Sequence, residues 1–135
     1  MDMAPPEDAD AAWLRRMEAK KTGCLITAAV ELGLRCAGAS PEQRACGRRF
    51  GDHLGAAFQI VDDVLDVVGN EKTLGKSIGK DAAENKVTWV TLLGLEEARR
   101  QAKEETERAV RALEPFGEGK AFLEQVARQM LDRIN

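Results

Sequence analysis

The sequence has few of the residue types that build several common kinds of site. It contains one histidine, His53, which leaves no basis for a histidine metal site or a catalytic triad. As a lone histidine on a predicted helix, His53 is interpreted as structural or exposed. The cysteines, Cys24, Cys36 and Cys46, are odd in number and form no CxxC pair. A reducing compartment therefore fits better than a disulfide framework or a zinc site.

The sequence also lacks an excess of basic residues and a long apolar run. Its formal net charge is -3, so the charge gives no indication of nucleic acid as a partner. Its apolar runs are far shorter than a membrane span, and no cationic segment precedes an apolar one as in a secretory signal. Hydrophobic residues make up 44% and charged residues 32%, which is typical of a globular protein with one core. We therefore expect a cytoplasmic protein, with residues 1–9 as a frayed terminus or cut linker and residues 10–135 as its helical part.

Apolar residues recur at helical spacing along most of the chain, and no segment alternates as a strand does. The sequence therefore predicts an all-α fold of about four to six helices. The first helix is predicted from Ala11 to about Ala37. Its apolar face is made by seven side chains: Trp13, Met17, Cys24, Leu25, Ala28, Ala29 and Leu32. Gly23 falls inside this helix, which indicates close packing or a nearby ligand.

The second helix has a clear start signal. Ser40 is a good N-cap, Pro41 suits the first helical position and Gln43 completes a capping box. This helix is predicted to run to about Val68. The Gly- and Lys-rich stretch 69–86 follows as a loop, and its length favours a functional role.

Two more helices are predicted in the remaining sequence. The third starts near Lys86 and ends before residues 114–119, with Trp89, Leu92 and Leu93 on its apolar side. The last helix carries a regular apolar stripe. Its members are Phe122, Leu123, Val126, Ala127, Met130, Leu131 and Ile134.

Three carboxylates interrupt the apolar stretch Phe58–Asp66, FQIVDDVLD. In a helix Asp62 and Asp66 share one face, Gln59 lies one turn before them, and Asp63 widens the same acidic edge. Like charges at this spacing repel each other unless a cation binds them, and oxygen ligands favour Mg²⁺ over Zn²⁺. Because Mg²⁺ fills its remaining positions with water and phosphate oxygens, the pattern indicates a phosphate or diphosphate ligand.

Lysines flank this acidic segment on both sides. Lys20 and Lys21 precede it, beside the hydroxyl of Thr22, and Lys76 and Lys86 follow it. Ammonium groups and a carboxylate-bound metal would together neutralise a diphosphate leaving group. Each feature taken alone also fits a solvated helix face, a solvated turn or surface lysines. Neither an EF-hand nor a Walker A spacing is present.

In their order along the chain, three motifs resemble those of the trans-prenyltransferases, the family of farnesyl and geranylgeranyl diphosphate synthases. They are KTG at Lys21–Gly23, GAAFQIVDDVLD at Gly55–Asp66 and LGKSIGKDAAENKVTWVTLLGLEEAR at Leu74–Arg99. The DDVLD part of the middle motif is similar to the family's second aspartate-rich motif. The resemblance covers nearly the whole chain from Lys21 onward. It implies a helical isoprenoid-synthase bundle that condenses an allylic diphosphate with isopentenyl diphosphate and requires Mg²⁺.

The resemblance also implies roles for residues at the reacting end of the substrate. Thr22 and Gln59 would stabilise the allylic cation with their oxygens. Asp62 would be the principal ligand of one Mg²⁺, and Asp63 and Asp66 would contribute directly or through water. Lys21, Thr22 and Gln59 would thus be the catalytic residues, and the three aspartates the metal ligands.

Other roles that the resemblance implies concern the charged ends of the substrates. Lys21 would bind the allylic diphosphate, and Lys76 would contact it. Asp81 and Lys86 would act at the edge of the diphosphate or through water. Arg133 would correspond to a residue near the isopentenyl diphosphate pocket.

The sequence departs from this family in length. Family members are about twice as long, and their first aspartate-rich motif has no counterpart among these residues. We therefore expect the C-terminal half of such an enzyme, inactive alone, with Met1 as an incidental start. Its uncovered apolar surfaces should drive self-association or association with the missing N-terminal half. The alternatives are a non-catalytic helical subunit that modulates a complete prenyl synthase, and a related class I terpene synthase.

Overall fold

In its computed structural model, the protein is described at residues 5–73 and 86–135, apart from the side chains of residues 70–73. All regular structure in these ranges is helical, which confirms the all-α prediction. The α-helices are α1 (Ala11–Glu18), α2 (Cys24–Cys36), α3 (Pro41–Thr73), α4 (Trp89–Leu93), α5 (Leu95–Ala112) and α6 (Ala121–Asp132). A π-helical segment, Ala19–Gly23, joins α1 to α2, and a 3₁₀ segment, Glu114–Lys120, joins α5 to α6.

The first predicted helix is present as one continuous rod. Asp10 caps its start by accepting the backbone N–H of Trp13 at 2.7 Å. The rod ends at Cys36, close to the predicted end. The chain keeps right-handed helical angles through both ends of the π segment, so α1, the π segment and α2 are not separated by a turn. The change of hydrogen-bond pattern inside the rod had not been predicted.

The second helix starts as predicted but ends later. The capping box is formed, because Gln43 N–H donates to Ser40 Oγ at 3.1 Å and Ser40 N–H donates to Gln43 Oε1 at 2.9 Å. The helix continues to Thr73, so the predicted end near Val68 and the predicted loop start at residue 69 were wrong. Gly69 costs a helix only about 1 kcal/mol relative to alanine, which does not force it to end. Residues 74–85 of the predicted loop lie outside the described residues.

The third predicted helix is two helices. It begins at Trp89 rather than near Lys86, because Thr88 forms a reciprocal capping box with Thr91. It is then interrupted at Gly94, whose φ of 83° is a conformation that glycine adopts without strain. The second part, α5, ends before residue 114 as predicted.

α3 is the central helix and packs along α5. The N-terminal half of α3 contributes to one apolar cluster, whose buried members are Phe50, Ala109, Val110, Leu113 and Ala127. Its C-terminal half contributes to the other, whose buried members are Leu14, Ile60, Val61, Val64, Trp89, Ala98, Ala102, Leu131 and Ile134. The second cluster joins α1, α4 and the end of α6 to the half of α3 that carries the aspartates.

A buried carboxylate lies between these helices. Glu105 of α5 is fully buried and accepts hydrogen bonds from Arg15 Nη1 at 2.9 Å, Arg108 Nη1 at 2.8 Å and His53 Nδ1 at 2.7 Å. We place the proton on His53 Nδ1 because it faces an ionised carboxylate. His53 is therefore structural, as its isolation in the sequence had indicated. Glu105 connects α1, α3 and α5.

The predicted apolar faces of α2 and α6 are only partly buried. On α2, Leu25 is 72% and Leu32 64% exposed, whereas Val30 on another side packs against the cluster around Phe50. On α6, Phe122 is 72% exposed, although Leu131 is buried. Helical spacing had grouped these apolar residues on one face of each helix. It had not shown which of them contact another helix of this chain.

Within the described ranges, no helix is both long and apolar enough to span a membrane. The three cysteines are free thiols: Cys24 and Cys36 are exposed, and Cys46 is buried.

Candidate functional site

A row of glycines brings α3 into backbone contact with the first helical rod. Gly47, Gly51 and Gly55 recur every four residues on α3 and define what we call the glycine seam. A methyl group placed on Gly51 would lie 2.7 Å from the Cα of Thr27, and one placed on Gly55 would lie 2.9 Å from the Cα of Gly23. Both distances are too short for a real side chain, so the close approach requires glycine. Gly23 thus marks close packing, one of the two interpretations that its place in a helix had indicated.

The glycine seam places the predicted reacting-end residues. The rod and α3 run antiparallel, so the residues just before Gly23 lie beside those just after Gly55. Thr22 immediately precedes Gly23, and Gln59 follows Gly55 by one turn; both side chains are half-buried. Lys21 belongs to the same segment and is exposed. The structure therefore brings these three predicted residues to one end of the seam.

The segment that carries Lys21 and Thr22 is the π-helical one. Short π segments inside α-helices are rare and occur frequently at functional sites. The Cys24 thiol donates a hydrogen bond to the Lys20 carbonyl oxygen across this segment, with an Sγ–O distance of 3.0 Å. This local irregularity therefore coincides with the KTG motif.

The three predicted metal-binding aspartates have different surroundings. Asp62 and Asp66 are exposed, whereas Asp63 is half-buried and its Oδ2 accepts the backbone N–H of Trp89 at 2.8 Å. Burial raises the pKa of Asp63 to about 6. The hydrogen bond from Trp89 opposes this shift, while the charges of Asp66 and Asp62 add to it. Asp63 therefore anchors the start of α4.

The donor set can be compared with the needs of Mg²⁺. No group of three or more His, Cys, Asp or Glu side chains is arranged to hold a metal within the described part of the chain. Asp62 and Asp66 nevertheless present two exposed oxygen donors one turn apart on α3. Mg²⁺ often takes only one or two protein carboxylates and completes its octahedron with water and substrate phosphate. The residues fit a metal held in that way, and a direct role for Asp63 stays a prediction.

Glu18 is a buried acid next to this site that sequence reasoning missed. Its side chain is 7% exposed, and its Oε2 accepts the indole N–H of Trp89 at 2.7 Å. Burial raises the pKa of Glu18 to about 7, although the hydrogen bond from Trp89 lowers it. Trp89 thus binds Glu18 of α1 and Asp63 of α3 through its two N–H groups. Glu18 lies four residues after Leu14 on the same helix face, but no sequence feature had indicated that this face is buried.

Of the predicted residues that follow the aspartates, Lys86 is among the described residues, and Lys76 and Asp81 are not. Lys86 is exposed, and its positive charge lowers the pKa of Asp63, so it lies close to the acidic end of α3. Its backbone carbonyl accepts the hydroxyl of Thr91 at 3.3 Å, which ties it to α4. Lys76 and Asp81 lie outside the described residues, and their roles stay predictions.

Arg133 follows α6 and is exposed. Its neighbours Leu131 and Ile134 are buried in the same apolar cluster as Trp89. The chain therefore brings Arg133 to the end of the bundle where Trp89 holds Asp63. Within the described ranges, the Arg133 side chain forms no ion pair with the aspartates.

Comparison with known proteins places this geometry in a family. A sequence profile described as polyprenyl synthetase matches residues 1–127. The chain belongs to the polyprenyl synthetase family. Among its curated relatives is a dimethylallyltranstransferase of Fischerella ambigua, 39% identical over 129 residues that cover 96% of this chain and 37% of that protein. Another is the farnesyl diphosphate synthase of Escherichia coli, 43% identical over 107 residues that cover 78% of this chain and 36% of that protein.

Solved structures share the polyprenyl synthetase fold. An FPP/GFPP synthase from Zymomonas mobilis superposes with a TM-score of 0.77 and 28% identity, covering 96% of this chain and 40% of that one. A geranyltransferase from Legionella pneumophila superposes with a TM-score of 0.76 and 26% identity, again covering 96% of this chain and 40% of that one. The predicted family and fold are confirmed. The chain spans only about two fifths of these structures' length.

Proposed function

We propose that this chain supplies one wall of the Mg²⁺-dependent diphosphate site of a cytoplasmic trans-prenyltransferase. The complete site would condense an allylic diphosphate with isopentenyl diphosphate. The observation that carries the proposal is the placement of Lys21, Thr22 and Gln59 at the end of the glycine seam, next to the turn of α3 that bears Asp62 and Asp66. Membership of the polyprenyl synthetase family supports it.

In this proposal the charged residues bind and orient the diphosphate. Lys21 and Lys86 are exposed cations near the part of α3 that bears the aspartates, where they can contact phosphate oxygens. Asp62 and Asp66 would hold Mg²⁺, with Asp63 contributing through water. Bound there, Mg²⁺ would neutralise the charge that develops on the diphosphate as it leaves. Lys76 would also contact the diphosphate, Asp81 would act at its edge or through water, and Arg133 would lie near the isopentenyl diphosphate pocket.

Polar groups with partial burial would act on the carbon end of the substrate. Thr22 and Gln59 are half-buried, and their oxygens would stabilise the positive charge that develops on the allylic carbon. Trp89 holds the neighbouring backbone in place through Asp63 and Glu18. This contact would fix the orientation of α3 relative to the rod that carries Lys21.

Metal-dependent binding of inorganic pyrophosphate tests the proposal. By calorimetry in the presence of Mg²⁺, we expect Asp62→Ala to weaken pyrophosphate binding at least tenfold, about 1.4 kcal/mol. The control is Glu42→Ala, which removes an exposed acid from the first turn of the same helix and should leave the affinity unchanged. Circular dichroism would verify the fold of both variants. Undiminished Mg²⁺-dependent binding by Asp62→Ala would refute the site assignment.

The proposal limits what these residues do on their own. DDVLD is the one aspartate-rich motif in the sequence, with no counterpart of the family's first motif, and the relatives are more than twice as long as the part this chain matches. In an assay of pyrophosphate release from geranyl and isopentenyl diphosphates, we therefore expect little turnover by this chain alone. A rate equal to that of a complete synthase would contradict this expectation.

The exposed apolar side chains support a proposal of self-association. Leu25 and Leu32 lie two turns apart on α2 and are largely exposed, and burying such leucines against a second copy is favourable. We expect a dimer in sedimentation-velocity experiments and a monomer for the Leu25→Ser, Leu32→Ser double variant. A wild-type monomer that instead binds a complete prenyl synthase would favour the alternative function, a non-catalytic modulating subunit.

A further inference from the structure

A basic cleft lies toward the other end of α3 from the aspartates. It has a volume of about 400 Å³ and is lined by Arg49, His53, Arg108, Arg111, Ala112, Glu114 and Pro115. Arg49 precedes Asp62 by thirteen positions on the helix, which at 1.5 Å per residue is roughly 20 Å. The cleft is therefore distinct from the proposed diphosphate site.

The positive charges of the basic cleft are incompletely neutralised. Arg49 and Arg111 are exposed and form no ion pair within the described ranges; Arg49 Nη2 donates only to Cys46 Sγ, at 3.1 Å. Glu114, the acid of the lining, accepts from Lys120 at 2.7 Å. Several guanidinium groups around one small volume repel each other, and this repulsion is relieved when an anion binds among them.

Two side chains that line the basic cleft, Arg108 and His53, are held in place by the buried Glu105. One oxygen of that carboxylate accepts from Arg108 at 2.8 Å, and the other accepts from His53 Nδ1 at 2.7 Å. Arg49 and His53 lie one turn apart on α3, and Arg108 and Arg111 lie one turn apart on α5. Two helix faces therefore present their basic groups to the same volume, and ordering them costs little when a ligand arrives.

We propose that the basic cleft binds a small multivalent phosphate anion of diphosphate size, without a metal. Guanidinium groups pair with phosphate oxygens through two parallel hydrogen bonds, which favours phosphate over a compact monovalent anion. The cleft has room for such an anion. Its binding does not use Asp62, Asp66 or Lys21, so this inference is independent of the proposed prenyltransferase function.

Calorimetry with inorganic pyrophosphate in EDTA at low ionic strength tests the inference. We expect the Arg49→Gln, Arg111→Gln double variant to bind pyrophosphate at least tenfold more weakly than wild type. The matched control is Arg16→Gln, Lys103→Gln, which removes two exposed positive charges outside the cleft that form no ion pair within the described ranges. The control should change affinity less than threefold, and Asp62→Ala should not change it.

Thermal unfolding of each variant would verify that the fold is retained. Shifts of the His53 ring resonances on adding pyrophosphate, absent in the cleft variant, would locate binding at the cleft. Three results would overturn the inference: no metal-free binding by wild type, equal weakening in the cleft and control variants, or loss of metal-free binding in Asp62→Ala. The last result would assign the binding to the proposed diphosphate site instead.

Discussion

Replacing Glu105 by glutamine is expected to lower the free energy of unfolding by about 2–3 kcal/mol, because a buried charge that accepts several hydrogen bonds is lost. Glu105 is fully buried and is contacted by Arg15, His53 and Arg108. A neutral amide of the same size would leave these groups without the charge that they surround. Chemical denaturation at neutral pH measures the loss.

The neighbouring Glu104 provides a matched control for this variant. It precedes Glu105 on α5, is 38% exposed, and pairs with Arg100 and Arg108 at the surface. Exposed pairs of this kind contribute at most about 1 kcal/mol. Glu104→Gln should therefore have a small effect, and equal losses in the two variants would show that burial of Glu105 has no energetic consequence.

The Glu105 contribution also has a defined pH dependence. Burial by itself would raise the pKa of Glu105, but hydrogen bonds from His53 and Arg15 outweigh it and hold the pKa at about 2, below the ordinary value of 4.5. The stabilisation is therefore complete well above pH 4.5 and is lost as the pH falls toward 2. The shift corresponds to about 3 kcal/mol at neutral pH, of which less than half remains at about pH 3. The stability difference between wild type and Glu105→Gln should shrink accordingly.

Local signals in the sequence predicted where the first two helices start, where the first rod ends and where α5 ends. Ser40 and Gln43 form the expected capping box because both partners lie within four residues of each other. The break at Gly94 is also a local feature of the chain. It depends on a positive φ, which glycine can adopt but does not have to adopt. For that reason the break between α4 and α5 was not predicted.

Contacts between distant segments explain what could not be predicted at the site. FQIVDDVLD shows that Asp62, Asp63 and Asp66 share one region of a helix, yet only the fold shows that Asp63 meets the Trp89 N–H, 26 residues later. Glu18 and Trp89 are 71 residues apart in sequence. No sequence spacing reveals that Glu18 and Trp89 form a pair, because the pair arises from the packing of α1 against α4. The residue types of a phosphate site were visible in the sequence, whereas the residues that hold them in place were not.

Substituting alanine for Gly55 should have the other large effect, on both stability and binding. The added methyl group would lie 2.9 Å from the Cα of Gly23, so backbone rather than a flexible side chain must move. Alanine favours a helix by about 1 kcal/mol over glycine. Overpacking commonly costs about 1–3 kcal/mol, and more where the backbone must shift, so we expect net destabilisation.

Other glycines show whether this loss comes from contact or from helix propensity. Gly33 on α2 has open space around it, so Gly33→Ala should be neutral or stabilising. At Gly47 a methyl group would meet the end of the Leu34 side chain, which can move away, so the cost should be intermediate. If Gly55→Ala were as stable as Gly33→Ala in the same denaturation experiment, the seam would not be a tight contact.

The position of Gly55 links its packing to the proposed chemistry. Moving the rod away from α3 at Gly23 would displace the adjacent Lys21 and Thr22 from Gln59 and Asp62. Gly55→Ala should therefore also weaken Mg²⁺-dependent pyrophosphate binding, while Gly47→Ala, two turns farther from the aspartates, should leave it unchanged. Equal affinities for both variants would mean that the glycine seam stabilises the fold without positioning the diphosphate site. Because the same contact controls both measurements, the seam is where the helix packing of this chain determines its proposed function.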